Sequence, residues 1–220
     1  MKKLIIFGTG DIAELAMYYF NNDTNYSVEA FTIDSSYKKS DQFCELAIVD
    51  FEKIQNVYDP KEFSMFIALS YTEMNELRAR KVNEAKKKGF NIASYVSSNC
   101  TTFGTFGCGE NCFILEDNTI QPFVEIGNNV TMWSGNHIGH HSKICDNAFI
   151  SSHAVISGGV EVGRNSFLGV NSTINDHIKL GEYSLIASGA LINKDTNDFS
   201  VCIGAPFKER DSIRSIDIKL

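Results

Sequence analysis

From residue 114 to residue 192 every sixth position carries an apolar, non-aromatic side chain: Ile114, Ile120, Ile126, Met132, Ile138, Ile144, Ile150, Ile156, Val162, Leu168, Ile174, Leu180, Ile186 and Ile192. Four residues after most of them stands a small or apolar residue, among them Val130, Ala148, Ala154, Val160, Ser166, Ser172 and Ala190. Gly127, Gly139, Gly163, Gly169 and Gly181 follow the aliphatic directly. A period of six suits neither a 3.6-residue helix nor a two-residue strand alternation. It is the period of the hexapeptide repeat, which winds a parallel β-helix. Each hexad supplies one flat face and one turn, so three hexads (18 residues) close a coil and residues 18 apart lie above one another. The aliphatic fills the axis, and the small residue four places later is expected at the tight corner.

Before the repeats the pattern changes. Residues 3–7 form an apolar strand that runs into Gly8-Thr9-Gly10, and Asp11 opens a helix with Ile12, Leu15, Ala16 and Tyr19 on one face. Asn21-Asn22-Asp23 stops it, and residues 27–33 read as a second strand ending at Asp34. Asp50 caps a short helix through Ile54, stopped near Pro60. Residues 63–69 form a nearly continuous apolar run of the kind buried on both faces. A helix is expected from Thr72 to about Lys88, with Glu76–Arg80 and Glu84–Lys88 at i,i+4 and Gly89 as terminator. Residues 91–96 make a further strand. Strands alternating with helices imply a small parallel sheet covered by helices. The expected division is a Rossmann-like α/β domain at 1–97, a coil domain at 98–204 with a Cys/Thr/Gly-rich entry over 98–113, and a charged tail at 205–220.

Composition adds exclusions. The 220 residues are 43% hydrophobic with a net charge of −7, the balance of an ordinary globular protein rather than a phosphate-backbone binder. No nucleic-acid partner is therefore expected. The apolar run at the N-terminus is too short for a signal sequence, and no stretch approaches the ~18 apolar residues of a membrane span. With no secretory signal, the 6 cysteines read as reduced thiols of a cytoplasmic protein. Cys108 and Cys112 lack the second pair that a metal site would need.

Two constellations carry candidate chemistry. Gly8-x-Gly10, between a strand and a helix, presents backbone N–H groups suited to a phosphate, with Asp11 at the helix start. Asp34, at the end of the second strand, is placed to accept from a ribose hydroxyl. The size of the region suits a mononucleotide or nucleotide sugar better than a dinucleotide; a tight turn without a ligand is the plainer alternative. The second constellation is His137, His140 and His141, with His153 and His177 beyond; all 5 histidines lie in the repeats. His140 and His141 fall away from the axis series and are expected to point outward. Gly158 lies one coil above His140 and Asp176 one coil above that, so the wall beside His140 is open to a ligand. Imidazole is the natural general base near neutral pH; a polar solenoid surface is the plainer alternative.

The repeats and the small α/β region together resemble the bacterial sugar acyltransferases with a left-handed β-helix. The nearest pattern is the group of sialic acid O-acetyltransferases and UDP-4-amino-sugar N-acetyltransferases (NeuD/PglD type). Ile156-Ser-Gly-Gly-Val-Glu-Val-Gly163 and the closing Gly204-Ala-Pro206 carry the likeness. The turn Gly8-Thr-Gly-Asp-Ile-Ala13 departs from the G-x-G-G-H-G of many members. The resemblance implies a homotrimer, acetyl-CoA lying between neighbouring subunits, no metal, and a nucleotide sugar held at Gly8, Gly10, Asp11 and Asp34. It places the catalytic base on His140, with His141 where the best-known members have an acidic residue; Asn136 or a distant acidic group is then a candidate to orient the base. It places backbone contacts to acetyl-CoA at Gly158, Val170 and Ser188.

The function so implied is acetyl transfer to a sugar in surface-polysaccharide synthesis, with a 4-amino-deoxy sugar preferred and a sugar hydroxyl as the alternative. Two rivals remain. A β-helix zinc lyase would need histidines one coil apart or facing each other across an interface, where this sequence has Gly158 above His140. A non-catalytic trimer would bind a nucleotide sugar without turning over acetyl-CoA.

Overall fold

The computed structural model describes residues 1–104 and 106–204. The expected tail at 205–220, with Ala205 and Pro206 of the closing motif, lies outside the described residues.

The N-terminal region contains β1 (Lys2–Phe7), α1 (Asp11–Asp23), β2 (Tyr26–Ile33), β3 (Gln42–Phe43), β4 (Leu46–Asp50), α2 (Ile54–Val57), β5 (Phe63–Ile67), α3 (Glu76–Lys87) and β6 (Asn91–Ile92). The strand order is β3-β4-β2-β1-β5-β6, parallel except for the β3–β4 hairpin. β1 and β5 are buried to both sides. Leu4, Ile6 and Phe66 pack with Ala13, Ala16 and Phe20 of α1, while Ile5, Met65 and Ile67 pack with Phe51, Ile54 and Val82. The chain builds outward from β1 to β4, then returns to β5 on the other side. That reversal opens a crevice beyond the carboxyl ends of β1 and β5, the usual place for a ligand in such sheets.

Several local expectations change. The buried face of α1 is Ala13, Ala16 and Phe20 rather than Ile12, Leu15, Ala16 and Tyr19, and Asp50 makes no side-chain cap to the turn that follows it. The helix expected at Thr72 starts at Glu76, because Glu73, Met74 and Asn75 all take positive φ (54°, 49° and 69°) and form a left-handed turn. The strand expected over 91–96 divides in two. β6 completes the α/β sheet, and β7 (Tyr95–Val96) pairs in parallel with Phe113–Ile114 as the first strand of the coil.

The coil is a three-sided parallel β-helix. Its first face runs through Phe113–Ile114, Thr131–Met132, Phe149–Ile150, Phe167–Leu168 and Leu185–Ile186. The second runs through Thr119–Ile120, His137–Ile138, Val155–Ile156, Thr173–Ile174 and Leu191–Ile192. The third runs through Glu125–Ile126, Lys143–Ile144, Glu161–Val162 and Lys179–Leu180. Each pairing joins residues 18 apart, as the period requires. The axial aliphatics are buried, each worth about 2 kcal/mol of apolar transfer.

The corners follow a second comb of six that differs from the expected one. The left-handed residue is the third after each aliphatic: Asn111, Asp117, Phe123, Asn129, Gly135, His141, Asn147, His153, Gly159, Asn165, Asn171, His177, Tyr183 and Gly189. The small residue one place later points inward instead and fills the prism edge, as Ala148, Ala154 and Ser166 do. Glycine and asparagine tolerate positive φ, and histidine is enriched there.

Between the third and first faces the corner asparagines bond to one another. Asn111 Nδ2 donates to Asn129 Oδ1 (2.8 Å), Asn129 Nδ2 to Asn147 Oδ1 (2.9 Å) and Asn147 Nδ2 to Asn165 Oδ1 (3.0 Å). Asn165 Nδ2 closes on Met74 O of the left-handed turn (2.9 Å). At the other end Asn111 exchanges two hydrogen bonds with the backbone of Ile67. Arg78 of α3 enters this ladder fully buried, with Nε on Asn129 Oδ1, Nη2 on Asn129 O and Asn147 O, and Nη1 on Ser70 O. Burial lowers its pKa to about 10, which still leaves the guanidinium charged at neutral pH. The α/β region therefore rests on the first face and on this corner.

Candidate active site

The corner between the second and third faces carries the paired histidines. Gly139 starts it, and no other residue fits there: a Cβ would lie 2.5 Å from the Ser157 carbonyl carbon of the next coil. His140 then faces outward, with its N–H on Gln121 Oε1 at 2.9 Å. His141 turns the corner at φ +59°, with its N–H on Pro122 O at 3.3 Å. Its ring lies 4.7 Å from that of Phe123, one coil below. The two histidines meet at Nδ1, 3.1 Å apart.

One coil above, Gly158 and Gly159 present no side chains. A Cβ on Gly158 would stand 2.7 Å from Cε1 and 2.9 Å from Nε2 of His140, so the imidazole lies against bare backbone. The Gly158 N–H donates to Asp176 Oδ1 at 3.0 Å, and the His177 ring sits over Gly159. His140/His141 and Asp176/His177 therefore stand two strand spacings, about 10 Å, apart, with the side chains of His140, Asp176 and His177 reaching toward the glycine backbone between them.

Asn136 cannot orient His140. Its Oδ1 accepts from Ala154 N (2.7 Å), its Nδ2 donates to Trp133 O, and the whole residue is buried in a different corner.

The other expected site residues form two further groups. Gly8, Gly10 and Asp11 line a crevice of about 760 Å³ with Tyr37, Lys38, Phe43, Ser70 and Thr72. Gly8 is demanded there, because it adopts φ +122° and a Cβ would meet Ala68 O at 2.8 Å. Asp34 stands apart from them, its carboxylate on Lys81 Nζ at 2.8 Å. Val170 and Ser188 lie together in a groove of about 360 Å³ beside the corner between the first and second faces. Tyr71, Trp133, Phe149 and Phe167 line the same groove, and Tyr71 stands edge-on to both phenylalanines (5.1 and 4.8 Å). Ser70 borders both the crevice and the groove, so the two are neighbours. His140, His141 and Gly158 are therefore brought together, but the whole second face of the same chain separates them from Val170 and Ser188.

The groove aromatics, Gln121 and the Arg78–asparagine ladder were not singled out from the sequence. The ladder alone had a readable signal, asparagine recurring at 111, 129, 147 and 165. Among the described residues no three His, Cys, Asp or Glu side chains stand close enough together to hold a metal, and no helix is long and apolar enough to cross a membrane.

Comparison with known proteins bears on the fold. Residues 141–176 match the family described as bacterial transferase hexapeptide (six repeats). The acetyltransferase domain of PglB from Neisseria gonorrhoeae superposes with a TM-score of 0.78 at 16% identity, over 91% of this chain and 96% of that one. PerB from Caulobacter crescentus, solved with CoA and GDP-perosamine, superposes with a TM-score of 0.81 at 20% identity, over 94% and 97%. WeeI from Acinetobacter baumannii gives 0.77 at 14% identity, over 93% and 97%. The chain has the fold of the hexapeptide-repeat acetyltransferases. That extends the likeness from the matched repeats to the α/β region, since each superposition spans nearly the whole of both chains. A search of curated sequences finds no match.

Proposed function

We propose that the chain transfers the acetyl group of acetyl-CoA to the amine of a nucleotide-linked amino sugar, with His140 as general base. The observation that carries this is the exposed His140 imidazole packed beside the side-chain-free backbone of Gly158. The solved neighbours support it. PglB's acetyltransferase domain is known with acetyl-CoA and PerB with CoA and GDP-perosamine.

The chemistry is acyl substitution. The acceptor nitrogen attacks the thioester carbonyl and its proton passes to His140 Nε2. The tetrahedral oxyanion collapses, the CoA sulfur leaves, and His140 returns the proton to it. A thioester is already activated toward amines, so the step asks for a base, alignment and oxyanion donors. In this reading the α/β region (1–97) holds the nucleotide in the Gly8–Gly10–Asp11 crevice, and the coil (98–204) winds left-handed and carries the chemistry. The enzyme works in the cytoplasm on precursors of surface polysaccharide.

Because the second face lies between His140 and the Val170/Ser188 groove, one chain does not assemble the whole site. A homotrimer would set the His140 corner of one copy against the groove of the next, with acetyl-CoA between them. The decisive experiment follows thiol release from acetyl-CoA with UDP-, dTDP- and GDP-linked 4-amino-6-deoxy sugars and their hydroxyl counterparts. Release with one amino sugar, lost in His140→Ala by about 100-fold or more, is expected. Release only with a hydroxyl sugar would make the protein an O-acetyltransferase. Nucleotide-sugar binding without thiol release would make it a binding protein.

A further inference from the structure

We propose that His141 is the positioning residue for His140: it accepts the Nδ1–H of His140 and so leaves the Nε2 lone pair of His140 free to take a proton. The inference rests on the reading of His140 as the general base. The two Nδ1 atoms are 3.1 Å apart, and a hydrogen bond at that distance needs one proton between them. A neutral imidazole carries a single N–H. If His140 donates from Nδ1, its Nε2 is bare and can take a proton. If His141 donated instead, His140 would hold its own proton on Nε2 and could not act as a base.

The surroundings hold His141 for this task. Its backbone is set by the left-handed corner and by the bond to Pro122 O, and its ring rests on Phe123. The titratable groups on the far side of Gly158 and Gly159 are Asp176 and His177, of which Asp176 is bonded to the Gly158 N–H and His177 lies over Gly159. Gln121, below, accepts from the His140 backbone. Among the described residues, His141 thus remains the side chain in hydrogen-bond contact with the His140 ring.

The arrangement favours the reacting state over the resting one. Once His140 has taken the acceptor proton it is an imidazolium, and its Nδ1–H bond to His141 becomes charge-assisted and stronger. His141 itself neither gains nor loses a proton over the turnover.

The test joins a spectroscopic readout with a kinetic one. Imidazole 15N NMR of the ligand-free protein is expected to show His140 protonated on Nδ1, moving to the Nε2 form in His141→Phe. Phenylalanine suits the site: Phe123 already occupies the same corner at φ +67°, and the ring stack is kept while the acceptor is lost. In His141→Phe kcat is expected to fall about tenfold or more with KM within about twofold, and His141→Glu, which restores an acceptor, to recover most of it. Unchanged kcat in His141→Phe, equal losses in the Phe and Glu variants, or wild-type His140 protonated on Nε2 would each overturn the proposal. Full activity in His140→Ala would instead overturn the underlying base assignment, a result that the tautomer measurement keeps separate.

Discussion

At the scale of single residues, glycines one coil apart have opposite consequences. A Cβ at Gly139 meets the backbone of Ser157, which cannot move without shifting a strand, whereas a Cβ at Gly158 meets the exposed ring of His140, which can rotate away. Gly139→Ala should therefore lower the thermal midpoint. Gly158→Ala should leave the midpoint nearly unchanged while reducing thiol release about tenfold or more by displacing the base. Calorimetry and the thiol assay on the two variants separate these effects. Arg78 is the other residue on which much depends. Its guanidinium spans Asn129 O and Oδ1, Asn147 O and Ser70 O from inside the protein, a fork that lysine cannot reproduce. Arg78→Ala leaves those acceptors buried without a donor and should cost roughly 3 kcal/mol or more in urea unfolding, with Arg78→Lys recovering little.

At the scale of elements, the coil was almost wholly legible, because a hexad buries its aliphatic on an axis it shares with the coils above and below. The corners were misplaced by one residue because backbone handedness leaves little trace in hydrophobicity; only the asparagines and glycines record it. α3 began late for a related reason. The turn before it is left-handed at Glu73, Met74 and Asn75, and Asn165 Nδ2 of the coil bonds to it, a tertiary contact that overrides local propensity.

The seating of α1 on the coil yields a pH prediction. Tyr19 OH donates to Glu116 Oε2 (2.9 Å) and Ser134 Oγ to Glu116 Oε1 (2.6 Å), while Tyr95 OH and Ser98 N–H donate to Asp23 Oδ2 (both 2.8 Å). Burial raises the Glu116 carboxyl, but hydrogen bonds from Ser134, its own backbone and Tyr19 outweigh it and leave the pKa lowered. The Ser98 bonds lead in lowering Asp23, against a smaller opposing effect of burial. Burial, with Glu116 second, pushes Tyr19 up to about 12. Depressed carboxylates stabilise the fold above their unfolded values, and the contribution is lost as pH falls through the lowered folded values. Amide exchange in α1 and around Tyr95 should therefore rise below about pH 4, the ordinary carboxylate range, while the coil axis stays protected. Glu116→Gln should weaken that acid response.

At the scale of the whole molecule, the α/β region covers the first face of the coil, and the third face is a charged ladder of Glu125, Lys143, Glu161 and Lys179. The second face presents Val155 and Leu191, 40% and 62% exposed. These two aliphatics, among Thr119, His137 and Thr173, lie between the candidate base and the candidate cosubstrate groove, where in the proposed trimer another copy would complete the site. Light scattering should give three times the 24.5 kDa chain mass. Val155→Glu with Leu191→Glu should dissociate the assembly and abolish thiol release together; a fully active monomer would refute the shared site.

The sequence by itself determined the coil, its register of 18 and the outward face of His140, because a six-residue period permits one kind of winding and stacks equivalent positions. It also determined the strand–glycine turn–helix at Gly8, a local steric requirement. The hydrogen bonds were decided by tertiary structure, even where the 18-residue register had already stacked the positions, as it had Asp176 over Gly158. His141 meets His140 at Nδ1, Asp176 bonds to Gly158, Asp34 is taken by Lys81, and Arg78 enters an asparagine ladder 51 residues away. Hydrophobic periodicity reports which side of an element is buried. The hydrogen bonds among polar side chains depend on distances across the fold, and those are set only when the faces have packed.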